Sequence, residues 1–234
     1  MAGVFVTGTD TDVGKTVVTG LLARAWQDQG LRVVTQKWVQ SGCVGFSEDI
    51  DTHLDLMGLT RDAVKDVQEA VCPYLFPLPA SGHLAAEDAG QIIDPEVLKR
   101  HYCTLENIYD RVLVEGMGGL LVPYDRCTLI VDVVQELNLP VLIVAKNKLG
   151  TVNHCLLTIE ALQRRNLSIL GVVFNGPEGG GDAVTQDNPC IVQEISGVPV
   201  LGELPWIEDK QRLQALFESI SIAIDKAIEK DEQP

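Results

Sequence analysis

Gly8-Thr9-Asp10-Thr11-Asp12-Val13-Gly14-Lys15-Thr16 is a variant of the pattern G-x-x-x-x-G-K-[ST], with one extra residue between the two glycines. In such a loop successive backbone N–H groups turn inward and the following helix adds its positive N-terminal end, which suits the loop to phosphate oxygens. Lys15 is expected on the β- and γ-phosphates of a nucleotide, and the Thr16 hydroxyl on Mg²⁺. Such a metal also needs a carboxylate. Glu115 supplies one at the end of the apolar run Val112-Leu113-Val114, where ligands bind in an open parallel sheet. Gly116, Gly118 and Gly119 after it leave room for a ligand.

Lys37 ends another apolar run and leads into Trp38-Val39-Gln40-Ser41-Gly42. A second lysine at this edge suits charge developing during phosphoryl transfer, and Ser41 suits donation to a substrate oxygen. On position alone, a surface lysine and an ordinary turn serine answer as well. Asp49, Asp51 and Asp55 cluster at an expected helix start; Asp51 either caps the helix or ligates a metal, and Asp49 competes with it. His53, His83, His101 and His154 are not spaced as a metal set and read as surface or otherwise satisfied histidines. Leu149-Gly150-Thr151-Val152-Asn153 opens a helix after a strand, which makes either an anion site or a plain cap. Asn175-Gly176 and Pro205-Trp206 follow two more strands, where an amide can read a nucleobase edge.

The elements that must position these groups alternate. Strands are expected at 3–7 (GVFVT), 31–36 (LRVVTQ), 110–115 (DRVLVE), 140–145 (PVLIVA), 169–174 (ILGVVF) and 198–204 (VPVLGEL). Helices are expected at 15–29, 95–107, 128–137, 151–166 and 208–230. Continuous apolar strands separated by amphipathic helices predict an α/β fold, a mostly parallel sheet with helices on both faces, like that of P-loop NTPases. Residues 38–51, 72–91 and 176–188 read as long irregular segments, the last with a triple glycine.

A length of 234 residues with 46% hydrophobic residues fits one domain, 1–234. A net charge of -15 argues against nucleic acid and anionic membranes as partners. Six cysteines lack any CxxC pair, so buried reduced thiols are expected rather than a zinc or redox site. The first strand begins at Gly3, leaving no room for a signal peptide, and no apolar run approaches the roughly 20 residues of a membrane span. A cytoplasmic location is expected.

Taken together, VTGTDTDVGKT at 6–16, Lys37 with Ser41-Gly42, VLVEGMGG at 112–119, LGTVNH at 149–154, GVVFN at 171–175 and LGELPW at 201–206 resemble the dethiobiotin synthetase family. The similarity runs from about Phe5 to about Trp206. It implies ATP-dependent carboxylation and ring closure of 7,8-diaminopelargonic acid with CO₂, through a carbamate and a carbamic–phosphoric anhydride. The resemblance implies that Lys15, Lys37 and Thr11 act in catalysis and that Thr16, Asp51 and Glu115 hold Mg²⁺. Asp12, Val13, Gly14, Lys15, Thr16 and Val17 would follow the ATP phosphates, with Glu115, Gly116, Met117 and Gly118 beside them. Asn175, Gly176, Pro205, Trp206 and Ile207 would hold the adenine. Ser41 and Gly118 would bind substrate. The family works as a homodimer, so Leu149, Gly150 and Asn153 of one subunit would receive the substrate carboxylate of the other. Family members commonly carry Glu at the position of Asp12, Pro at Trp38, Pro at Gly82 and Ala at Met117, departures that touch loop geometry more than reaction type.

Three other readings fit less well. Cobyrinic acid diamide synthases carry an added amidotransferase domain, for which the roughly 28 residues after Trp206 leave too little chain. ParA/MinD-like switches have a lysine early in the loop, where Thr9 to Val13 hold none. A GTPase needs Asn-Lys-x-Asp, and Asn147-Lys148-Leu149-Gly150 lacks the aspartate.

Overall fold

The computed structural model describes residues 3–176 and 181–232. Its main sheet holds β1 (Gly3–Gly8), β2 (Val33–Lys37), β5 (Arg111–Gly119), β6 (Val141–Lys146), β7 (Ile169–Asn175) and β8 (Val200–Leu204). These six are ordered β2-β5-β1-β6-β7-β8 and pair in parallel throughout. The alternation of a strand decides which layer each side chain joins. Phe5 of β1 and Val141, Ile143 and Ala145 of β6 enter one core; Val4, Val6, Leu142 and Val144 enter the other.

The first core is closed by α5 (Pro95–Glu106), α6 (Ile130–Glu136) and α7 (Thr151–Gln163), through residues such as Leu98, Val131 and Ile159. The second is closed by α1 (Lys15–Asp28) and α9 (Lys210–Asp231), through Leu22, Trp26, Phe217 and Ile224. The expected layered fold is present. Among the described residues no helix is long and apolar enough to cross a membrane.

The segments expected to be irregular hold structure. Residues 38–51 contain β3 (Val39–Ser41) and the start of α2 (Glu48–Met57); residues 72–91 contain β4 (Tyr74–Phe76) and α4 (Gly82–Asp88). A short 3₁₀ segment (Arg61–Val67) and α3 (Gln68–Val71) connect α2 to β4, which pairs with β3 in parallel. Ser47 caps α2: its Oγ accepts from the Ile50 N–H at 3.2 Å and donates to Gln40 Oε1 at 2.8 Å, fastening the helix to β3. Gly20 then lets α2 approach α1 closely, since a Cβ there would lie 2.6 Å from Leu56 Cδ1 and 3.2 Å from the His53 Cα.

Of the expected loop at 176–188, residues 177–180 lie outside the described residues, and α8 (Ala183–Ser196) begins within it. Pro189 sits inside α8 and has no N–H for the Thr185 carbonyl. That carbonyl instead accepts from Asn147 Nδ2 at 2.7 Å. Asn147 also donates to Glu203 Oε1 at 2.9 Å and accepts from Asn188 Nδ2 at 2.8 Å, joining the ends of β6 and β8 to α8. All six cysteines are free, but only Cys43 and Cys155 are buried; Cys103, Cys127 and Cys190 are exposed, contrary to the expectation of buried thiols throughout.

Candidate functional site

β1 delivers the chain to the loop, and α1 begins at Lys15 behind Gly14 at φ 93. A side chain at Gly14 would collide with Asn175 Nδ2, 2.0 Å from a Cβ there, so the tight loop needs this glycine. Asn175 at the end of β7 donates through Nδ2 to the Val13 carbonyl, clamping the loop from across the sheet. Asp12 has φ 54, a left-handed conformation that Asp tolerates better than Glu, so the departure from the family's Glu falls where the backbone favours it. Lys15 Nζ donates to the Asp10 carbonyl at 3.0 Å. Burial, and then the positive charge of Lys37, push the Lys15 ammonium down to about 8. Anionic phosphates would offset both effects.

At the ends of β2 and β5 the chain gathers a buried charged cluster. Lys37 Nζ lies 2.8 Å from Glu115 Oε1, 2.7 Å from Asp49 Oδ2 and 3.0 Å from the Gly116 carbonyl. Thr16 Oγ1 lies 3.0 Å from Glu115 Oε1 and 3.2 Å from Asp49 Oδ1. His53 Nε2 donates to Glu115 Oε2 at 2.8 Å. Burial opposes the charge on Glu115, yet the Lys37 ammonium and the bonds from His53 and Lys37 prevail and hold the carboxyl well below its usual range. Burial likewise opposes the charge on Lys37, and Glu115 and Asp49 more than offset it, raising the ammonium above its usual value.

Of the candidate metal ligands, Thr16 and Glu115 come together as expected, and Asp51 does not join them. It is paired with Arg61, its Oδ1 accepting from Nε at 2.7 Å, on the outer side of α2. Asp49, the competitor, takes the inner position. Among the described residues no three His, Cys, Asp or Glu side chains form a ready metal cage. Mg²⁺ does not ask for one, since it binds through one or two carboxylates together with phosphates and water. The hard oxygens of Thr16, Asp49 and Glu115 beside a phosphate loop fit that requirement.

A cleft of about 370 Å³ opens beside the loop, lined by Asp12, Val13, Gly14 and Val17 on one side and by Asn175, Gly176, Trp206 and Ile207 on the other. These were expected there. Lys146 and Glu208 also line it and were not singled out, although Lys146 ends β6 at the same carboxyl edge. Trp206 is 61% exposed in this cleft, whereas Trp26 and Trp38 are buried. Trp38 packs against Phe5 with ring centroids 5.3 Å apart and the planes tilted by 36°, and donates to Gln36 Oε1 at 2.9 Å, so it supports Lys37 from inside. Pro205 lies beside the cleft, half-buried.

Thr11 is exposed at the loop tip and approaches Gly118, whose φ is 60; Gly116 and Met117 continue β5 beneath them. Ser41 ends β3, half-buried. Leu149, Gly150 and Asn153 lie at the start of α7 on the surface, Leu149 85% exposed, apart from the charged cluster. His53, read as a surface or satisfied histidine, is fully buried and bonded to Glu115, a place in the charged cluster that sequence reasoning did not assign to it.

Several known proteins resemble this chain in sequence or in fold. The AAA domain family matches residues 2–213. The ATP-dependent dethiobiotin synthetase BioD of Anoxybacillus flavithermus is 39% identical over 223 residues, 93% of this chain and 97% of that one. BioD 2 of Haemophilus influenzae, of the same name otherwise, is 40% identical over 173 residues, 74% of this chain and 90% of that one. The Chlorobaculum tepidum BioD is 45% identical over 170 residues, 73% and 71% of the two chains. Among solved structures, the cell division ATPase MinD of Pyrococcus furiosus superposes with a TM-score of 0.58 at 18% identity, covering 98% of this chain and 99% of that one. A ParA family ATPase from Chlorobium tepidum superposes with a TM-score of 0.55 at 17% identity, covering 97% and 98%. These two share the fold alone. The sequence matches go further, extending through almost the full length of a relative at a level that defines a family, and the chain belongs to the ATP-dependent dethiobiotin synthetases.

Proposed function

We propose that this chain carboxylates 7,8-diaminopelargonic acid with CO₂ and closes its ureido ring at the expense of ATP, giving dethiobiotin, ADP and phosphate. One observation carries the chemistry: a second lysine, Lys37, is buried at the carboxyl edge of the sheet with its Nζ 2.7–2.8 Å from two carboxylates. A nucleotide cradle needs Lys15 alone. A second buried ammonium suits a second anion, the carbamate formed when one substrate amine adds to CO₂ and loses a proton. The carbamate oxygen attacks the γ-phosphorus, the bond to the β-phosphate oxygen breaks, and ADP leaves. The second amine then attacks the carbamoyl carbon, phosphate leaves with the C–O bond pair, and the amine proton passes to solvent.

Lys15 and Lys37 would stabilise the negative charge on the transferring group. Ser41, Thr11 and Gly118 would orient the diamine and carbamate, and holding both amines on one molecule makes the closure intramolecular. Thr16, Asp49 and Glu115 would hold Mg²⁺, which supplies charge neutralisation on the phosphates when bound. Asn175, Gly176, Pro205, Trp206 and Ile207 would receive the adenine, with Lys146 at the rim. The exposed Leu149, with Gly150 and Asn153, supports a homodimer in which α7 of one subunit completes the other's substrate site. The reaction belongs in the cytoplasm. Incubation with the diamine, bicarbonate and MgATP, followed by mass detection, should yield dethiobiotin; no product, with ATP hydrolysis indifferent to the diamine, would end this proposal.

A further inference from the structure

We infer that His53 is a positioning residue that holds Glu115 as a metal ligand. This rests on the proposed function, in which Glu115 helps to hold Mg²⁺. The two oxygens of Glu115 are not used alike. Oε1 faces Thr16 and Lys37, the groups of the phosphate site, while Oε2 accepts from His53 Nε2 at 2.8 Å. Both side chains are buried, at 0% and 1% exposure. Fixing Oε2 leaves Oε1 as the oxygen turned toward Thr16 and Lys37.

His53 reaches this place because it lies four residues after Asp49 on α2, so both fall on the face turned toward the end of β5. One helix face therefore supplies a ligand, Asp49, and the brace for another. The close packing of α2 on α1 over Gly20 sets the distance of both.

Packing alone does not account for an imidazole here. Among the described residues Nδ1 is buried and has no partner, so the ring's polar bonding is to Glu115. A leucine at this buried position would avoid desolvating a ring nitrogen but would leave Glu115 Oε2 without its donor. A histidine retained at that cost acts on the group it holds. Side chains that orient metal ligands by hydrogen bonding typically alter affinity by about 10–100-fold when removed.

The test uses Mn²⁺ as a spin-active stand-in, titrated into the full-length protein with ADP and followed by electron paramagnetic resonance. His53→Leu and His53→Met should weaken Mn²⁺ binding about 10–100-fold while remaining folded, melting below the parent only by what the lost bond to Glu115 Oε2 costs. His53→Gln, whose amide can donate near the position of Nε2, should restore binding to within about threefold. In turnover, the apolar variants should raise the Mg²⁺ concentration for half-maximal rate more than they lower kcat. Mn²⁺ affinity unchanged within twofold in a folded apolar variant overturns the inference and leaves the proposed function standing. Failure of both apolar variants to fold also overturns it, since His53 would then serve the fold. A parent protein that takes up no Mn²⁺ with ADP overturns the proposed metal site as well.

Discussion

Replacing Lys37 with methionine removes the cation of the buried cluster while keeping an unbranched side chain of similar length. Glu115 is 1% exposed and Asp49 24% exposed, so the loss falls mainly on Glu115. Breaking a buried pair by deleting one partner costs about 3–5 kcal/mol. The lower end, about 3 kcal/mol, applies here, because Thr16 and His53 still donate to Glu115 and water screens Asp49. The sign with pH follows from linkage. In the parent the depressed Glu115 carboxyl stabilises the fold above its unfolded value of about 4.3 and stops doing so only as pH falls through its low folded value. Between pH 5.5 and 7.5 it therefore gives the parent no slope. In the variant, burial without the ammonium raises this carboxyl, the folded state holds a proton the unfolded state lacks, and stability falls as pH rises. The gap between the two proteins closes by about 1.4 kcal/mol per pH unit below the variant's carboxyl value. Urea unfolding at pH 5.5, 6.5 and 7.5 measures it. A gap under about 1 kcal/mol at pH 7.5, or one constant across this range, would refute the account of the cluster. The same variant should bind ATP within a few-fold of the parent and lose about 10²–10³-fold in kcat.

Asp49→Asn should weaken divalent metal binding in the presence of ADP by at least about tenfold, and Asp51→Asn by less than about twofold, because only Asp49 faces Thr16; calorimetric titration separates them. Lys15→Met should abolish tight nucleotide binding and yet raise the melting temperature at pH 7 by a few degrees. The Lys15 ammonium, pushed from 10.5 to about 8, opposes folding at neutral pH by an amount on the order of 3 kcal/mol, less what its bond to Asp10 returns. Since the unfolded chain holds that proton up to its ordinary value, the parent gains stability from about pH 8 to 10.5 and the difference shrinks; a Lys15→Met protein that melts lower at pH 7 contradicts this.

The phosphate loop and the six strands of the main sheet were legible because their signals are local: glycines at fixed spacing, and apolar runs of strand length. Glu115 and Lys37 followed from one rule, that ligands meet the carboxyl ends of parallel strands. The choice between Asp49 and Asp51 turned on a level above the motif. On α2 the buried stripe is Ile50, His53, Leu54, Leu56 and Met57, and at about 100° per residue its centre lies nearer Asp49 than Asp51. Asp51 was favoured for its place in the resemblance, which a helix-face count does not support. α8 was hidden for a different reason. Its glycine-rich approach reads as a loop over 176–188, and the compensation for the internal Pro189 comes from Asn147, distant in sequence. β3 and β4 hold three residues each, too few for alternation to show.

The chain carries three tryptophans, and their burial makes it its own optical probe. Trp26 and Trp38 are 1% and 0% exposed, shut inside opposite layers of the sheet, whereas Trp206 stands 61% exposed in the cleft beside Gly14 and Asn175. A collisional quencher dissolved in the buffer meets one indole and misses the other two. The quenchable part of the emission therefore reports on the cleft, and the remainder on the integrity of the two cores, without a label or a substitution.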